Sequence, residues 1–332
     1  MLVKRAKTSA FFYLRLAFGA LLLLFLFRLV EFDRLALTLS TVKPQLLVAA
    51  FLAMLLNYGV KTYRWASILR FQRPDLSFGQ VARFNFVSVF LGNFLPSNLS
   101  SDIVRIYYIS RHTAAPGVAI SSIFADRIIG NFAVALATVA AFLALRQSGV
   151  FEIGLVLSYG IVAFLLLSIA VPLMLQRPLV MNWAKKLLER FISQKLFTKL
   201  QDTSRHLFLY RNQTALVSQV LGLAFLNVII TIFEFYFIAQ SFSAQIPIGY
   251  FFLFIPLLIY LSMLPVSVGG IGLIEAGLVL FFSTVGMPLE TCLSTALAFR
   301  VLQLGCALPG AMIYLLGDLS SPKYQQDAES LQ

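Results

Sequence analysis

The chain has 332 residues, of which 59% are hydrophobic and only 12% charged, whereas about a quarter of residues carry charge in an ordinary soluble domain. That balance excludes a soluble globular domain, a disordered chain and a disulfide scaffold, and it places most of the sequence in lipid. The excess of 26 Lys and Arg over 14 Asp and Glu, a net +12, reports membrane topology in such a chain and not nucleic-acid binding.

Apolar segments of roughly 20 residues, enough to cross about 30 Å of hydrocarbon, run at 8–30, 45–64, 117–145, 152–175, 215–240 and 289–317. They are expected to form six spanning helices. The first follows a basic start, Lys4, Arg5 and Lys7, and ends at Arg28 and Glu31 without a small-residue cleavage site, so it reads as an uncleaved span. Two further apolar segments, 78–112 and 250–286, are interrupted by LPSNLSSD at 95–102 and by LPVSVGGIG at 264–272. Pro96, Ser100 and Ser101 in the first, and Pro265, Gly269, Gly270 and Gly272 in the second, argue against one continuous helix in either place.

Lys and Arg collect on the cytoplasmic side of a membrane. Placing the N-terminus inside puts Lys61, Arg64, Arg70, Arg73 and the eight basic residues from Arg177 to Arg211 in the cytoplasm, with Arg34, Lys43 and Arg146 outside. This works only if each broken segment leaves by the face it entered, so both are expected as re-entrant helical hairpins, the first from the cytoplasm and the second from outside. The fold class is an all-α polytopic membrane protein with about six spanning helices plus two re-entrant hairpins. One domain covers 1–318, a short polar cytoplasmic tail covers 319–332, and both termini are cytoplasmic. The basic segment 176–214 has two readings, a helix lying flat on an anionic membrane surface or a solvated loop.

The two halves share a spacing. Asp102 precedes Arg127 by 25 positions and Glu275 precedes Arg300 by 25, with ADRII at 125–129 set against AFRVL at 298–302. A repeat at about 45–146 and a second at about 215–317 would then run span, hairpin, span in opposite senses, which is the inverted-repeat plan of many secondary transporters.

Ionisable groups at bilayer depth cost roughly 2.5–3.5 kcal/mol each on insertion scales, so each needs a partner or a purpose. Asp102, Arg105, Asp126, Arg127, Glu234, Glu275 and Arg300 are the candidates for contact with a lipid headgroup. Asp102 and Glu275 sit where a broken helix would restart, and either cap that helix or face a ligand there. Arg105, Arg127 and Arg300 either form a cationic floor for a phosphate, which guanidinium binds in a fork, or pair internally with Asp102, Asp126 and Glu275. Glu234, within TIFEFYF, has no partner evident in the sequence. The 32 phenylalanines read as lipid-facing filler.

Cys292 and Cys306, 14 residues apart on one helical stretch, are about 21 Å apart along its axis and do not bond to each other. His112 and His206 have no clustered co-ligands, so no metal or other cofactor is expected. Neither a GxxxxGK[ST] loop, a GxSxG elbow nor an HExxH helix is present, which argues against an ATPase or hydrolase.

Taken together, LPSNLSSDIVRIY at 95–107, ADR at 125–127 and LPVSVGGIGLIEAG at 264–277 resemble the flippase-like membrane domain of lysylphosphatidylglycerol synthases. The family's two breaks are similar to LPxxxGGDxxR and LPxSxGGxGxxE. Pro96, Asp102, Arg105, Pro265, Gly269, Gly270, Gly272 and Glu275 fall on matching positions. The resemblance implies a domain of the bacterial or archaeal cytoplasmic membrane that moves an anionic or aminoacylated phospholipid between leaflets. Ser100 and Ser101 stand where the family has two glycines, which implies a different headgroup preference. No aminoacyl-transferase domain follows the last span, so synthase activity is not expected, and a separate lipid-modifying transferase is the partner this implies. The first reading is therefore a lipid translocase, more transporter than enzyme. The second is a membrane-embedded transferase or an accessory subunit in lipid or lipid-linked glycan synthesis.

Overall fold

The computed structural model describes residues 32–93, 100–147, 214–263 and 270–316, together with Ser267 and scattered positions within 17–28 and 206–213. Every regular element among them is helical: α1 (Phe32–Ser40), α2 (Pro44–Gln72), α3 (Phe78–Gly92), α4 (Ser100–Thr113), α5 (Pro116–Gln147), α6 (Thr214–Ser241), α7 (Ile248–Met263), α8 (Leu273–Phe282) and α9 (Leu289–Leu315), with a 3₁₀ turn at Ser283–Val285 after α8. Among the described residues α2, α5, α6 and α9 are long and apolar enough to cross a membrane. They match the segments expected at 45–64, 117–145, 215–240 and 289–317. The expected span at 152–175, nearly all of the basic segment 176–214, the tail 319–332, and Pro96, Pro265 and Gly269 lie outside the described residues, and the span at 8–30 is described only at scattered positions.

Local chemistry sets the helix starts. Pro44 occupies the first turn of α2, where a missing N–H costs nothing. Ser77 and Gln80 cap α3 reciprocally: Gln80 N–H donates to Ser77 Oγ at 3.2 Å and Ser77 N–H to Gln80 Oε1 at 2.9 Å. Gly270 and Gly272 take positive φ of 70° and 83° ahead of α8, a backbone that residues with a Cβ adopt at a cost. Ser100 and Ser101 depart from the expectation of a hairpin tip. They lie in the first turn of α4, where the helix needs no left-handed residue.

The structure departs from the sequence expectation at α1 and at the end of α2. The segment after the first span contains α1, whose Leu35 packs with Leu26 and Leu293 of α9. More consequentially, α2 runs to Gln72, so Lys61 and Arg64 lie within a spanning helix and not on its cytoplasmic flank. Val48, Leu52 and Leu56 are exposed along one face of α2, and Val301, Leu304, Leu308 and Met312 along one face of α9, the stripes a bundle turns toward lipid.

The helix pairs α3/α4 and α7/α8 each close back on the end where they began. Arg73, just before α3, donates to the Thr113 carbonyl at the end of α4 at 2.9 Å, and Phe251 near the start of α7 meets Phe282 at the end of α8 with ring centroids 4.6 Å apart. The long helices α2 and α6 pack antiparallel: Lys43 N–H donates to Ser241 O at 2.9 Å, Asn57 to Thr231 at 2.8 Å, and Gln72 to the His206 carbonyl at 3.3 Å. The contacts are mirrored between halves, α2 with α5 as α6 with α9, α3 with α9 as α7 with α5, α4 with α5 as α8 with α9. The α3/α4 pair follows the C-terminal end of α2 and the α7/α8 pair the C-terminal end of α6, and these two ends are on opposite sides because α2 and α6 are antiparallel. The two helix pairs accordingly open at opposite ends of the bundle.

Candidate functional site

Helices from both halves enclose a cavity of about 400 Å³, within the range of small-ligand sites. Its wall contains Asn57, Lys61 and Arg64 of α2, Asn85 of α3, Arg105 of α4, Asp126 and Arg127 of α5, Asn227, Thr231 and Glu234 of α6, and Gln303 of α9. The spacing of Asn57, Lys61 and Arg64 places all three on one face of α2, opposite its lipid stripe.

Arg64 and Asp126 form a forked pair, Nε to Oδ1 at 2.7 Å and Nη2 to Oδ2 at 3.0 Å, while Arg64 Nη1 donates to Asn227 Oδ1 at 3.0 Å. Asp102 pairs with two arginines: Arg127 Nε donates to Oδ2 at 2.6 Å, and Arg105 Nη2 lies 3.0 Å from Oδ1 in an ion pair. The Arg105 guanidinium also stacks over the Trp65 ring, 5.1 Å from its centroid, a contact that suits a weakly hydrated planar cation. In the second half Arg300 Nε meets Glu275 Oε1 at 3.1 Å, and Glu275 Oε2 accepts the Gly272 N–H at 2.7 Å. One carboxylate thus caps α8 and holds α9.

A polar net joins α2 to α6. Asn57 Nδ2 donates to Glu234 Oε1 at 2.6 Å and to Thr231 Oγ1 at 2.8 Å, and Asn227 Nδ2 donates to Asn57 Oδ1 at 2.8 Å. Such bonds hold helices together where burial of apolar surface against lipid supplies little drive.

Of the residues expected from sequence, Arg105, Asp126, Arg127 and Glu234 face the cavity together. Asp102, Glu275 and Arg300 do not line it. They form the ion pairs that fasten the second helix of each pair to the span that follows. Both sides of the open choice for the arginines are therefore occupied by different residues: Arg300 pairs internally, while Arg105 and Arg127 pair with Asp102 and still reach the cavity wall. Asp102 and Glu275 stand at corresponding places, the third residue of α4 and of α8. Lys61, Arg64 and the asparagines 57, 85 and 227 were not anticipated. A polar stripe at helical spacing along an apolar segment was the available signal, hidden by ending the span at 64.

Four cations, Lys61, Arg64, Arg105 and Arg127, meet three carboxylates, Asp102, Asp126 and Glu234, in and directly behind this wall. Such a cavity favours a ligand carrying negative charge.

No curated protein matches the chain. The family model described as the lysylphosphatidylglycerol synthase TM region matches residues 12–310, a stretch that contains both helix pairs and every residue of the cavity wall. With its spanning helices it is an integral membrane protein, and it belongs to the lysylphosphatidylglycerol synthase transmembrane-region family.

Proposed function

We propose that the protein moves a phospholipid between leaflets by admitting the headgroup to the central cavity while the acyl chains stay in the bilayer. One observation carries this reading: a polar cavity of about 400 Å³ with a cationic excess lies within a bundle of spanning helices. A phosphodiester finds there the charge that lipid tails deny it, so the headgroup's desolvation is offset along the path. The mirrored helix contacts support alternating exposure of one site to two faces, the arrangement found where inverted repeats meet. On this reading α3/α4 and α7/α8 are re-entrant hairpins. The substrate class that fits is an anionic or aminoacylated lipid of the phosphatidylglycerol type, in a bacterial or archaeal cytoplasmic membrane.

The test is reconstitution into liposomes carrying fluorescent phosphatidylglycerol in both leaflets, followed by a membrane-impermeant quencher. Quenching is expected to pass beyond the outer-leaflet share, and to slow in Arg127→Gln, whose guanidinium is at the wall. Quenching that stops at the outer-leaflet share, with several headgroups tried, overturns translocation and favours the transferase or accessory reading.

A further inference from the structure

The arginines of the cavity are already committed: Arg64 to Asp126, and Arg105 and Arg127 to Asp102. Lys61 is different. Its ammonium lies over the Tyr58 ring, 5.6 Å from the centroid, and among the described residues no carboxylate lies within 4.0 Å of it. Glu234, 2% exposed, accepts a hydrogen bond from Asn57, and among the described residues it likewise has no cation within 4.0 Å. The shift in numbering that carries Asp102 onto Glu275 and Arg127 onto Arg300 also carries Lys61 onto Glu234. Opposite charges without direct partners thus occupy corresponding positions on the antiparallel helices α2 and α6, and both face the same cavity.

We propose that Lys61 and Glu234 form a co-binding site for one phosphodiester anion and one proton. In the empty cavity each charge is the other's counter-charge across a gap. When a phosphate oxygen takes Lys61, Glu234 is left with a second anion beside it at low dielectric, and it binds a proton from the aqueous side of the cavity. The complex then carries no additional net charge, which is the condition for an anion to cross a membrane without electrical work.

The surrounding groups leave this role to Glu234. It shares the cavity with Tyr58, Lys61 and Arg64 of α2, Arg105 of α4 and Asp126 and Arg127 of α5, Cys306 of α9 lies near it, and among the described residues no titratable side chain of α7 lines the cavity. Asp126 is already engaged by the Arg64 fork. The inference deepens the headgroup reading by adding the ion that accompanies the lipid.

The test uses the full chain purified in detergent, with water-soluble short-chain phosphatidylglycerol as probe and calorimetry in two buffers of different ionisation enthalpy. Uptake of about one proton per ligand is expected, with affinity falling about tenfold per pH unit as pH rises through the range of uptake. Glu234→Gln is expected to bind the probe with no proton uptake and a flat pH dependence. Lys61→Met is expected to lose affinity by about tenfold or more, and Lys61→Arg, which keeps the charge, to retain binding. Short-chain phosphatidylethanolamine, which brings its own ammonium to Glu234, is expected to bind without proton uptake. Inorganic phosphate that binds as tightly as the lipid, with equal uptake, identifies free phosphate as the source of the anion. Proton uptake that persists in Glu234→Gln, undiminished binding in Lys61→Met, or failure of both phosphatidylglycerol and phosphate to bind overturns the site. Proton-linked binding in detergent with no lipid movement in liposomes overturns translocation alone, and lipid movement with no proton linkage overturns this proposal alone.

Discussion

Arg64 and Asp126 are joined by two hydrogen bonds, and their side chains are 12% and 10% exposed. Removing one partner of such a pair leaves an uncompensated charge, whereas removing both leaves none. Asp126→Asn is therefore expected to destabilise the purified protein by about 3–5 kcal/mol, because it leaves Arg64 with neutral acceptors only, the amide oxygens at position 126 and of Asn227. The double variant Arg64→Met, Asp126→Leu is expected to recover most of that loss in thermal unfolding. Equal losses in the single and double variants would show that the pair's shape, and not its charge balance, matters. At this scale the sequence was partly legible: equal spacing set Asp102 against Arg127 and Glu275 against Arg300, and internal pairing was one of the two readings it left open. The role of Asp126 was not legible, because its partner is 62 positions away on another helix. Nor was that of Glu234, whose hydrogen-bond donor, Asn57, is 177 positions away.

At the scale of elements, the mismatch at α2 has a plain cause. A hydropathy reading ends a span at its first charges, but a helix that turns those charges into a polar cavity continues past them without exposing them to lipid. The helix reaches Gln72. Close helix contacts were equally hidden, since they depend on which small residue meets which backbone. On α9, a Cβ at Gly310 would overlap the Phe86 carbonyl of α3, whereas one at Gly59 on the exposed face of α2 would meet no heavy atom within 4 Å. Gly310→Ala is expected to cost about 1–3 kcal/mol by forcing α3 and α9 apart, and Gly59→Ala to cost nothing measurable in the same thermal unfolding assay. Because helix propensity by itself favours Ala over Gly at both positions, similar losses in both would show that the contact with α3 is not the cause. The long helices themselves were legible because each is an uninterrupted apolar run, and the breaks between paired helices were legible because Pro and Gly punctuate them.

At the scale of the molecule, the antiparallel packing of α2 against α6 gives the two helix pairs opposite openings. This makes a topological prediction that does not depend on transport. Single cysteines introduced at Asp75 and Arg111, at the two ends of the α3/α4 pair, are expected to react with an impermeant maleimide from one side of the membrane. One introduced at Gln245, before α7, is expected to react only from the other side. All three positions are exposed, and the native Cys292 and Cys306 are buried. Reaction of Asp75→Cys and Arg111→Cys from opposite sides would mean that α3 and α4 complete a crossing.

Membrane residence, the helical class, the four long apolar helices α2, α5, α6 and α9, the two breaks and the family pattern followed from sequence alone, because lipid imposes length, apolarity and internal hydrogen bonding on any segment that spans it. The tertiary structure decided which charges face each other. Asp102, Glu275 and Arg300 became fasteners, Arg105, Asp126, Arg127 and Glu234 became a cavity wall, and Lys61 and Arg64 moved from the presumed flank to its centre. Those assignments depend on the packing of α2 against α5 and α6, whose contacts join residues far apart in the chain, and no local pattern records them.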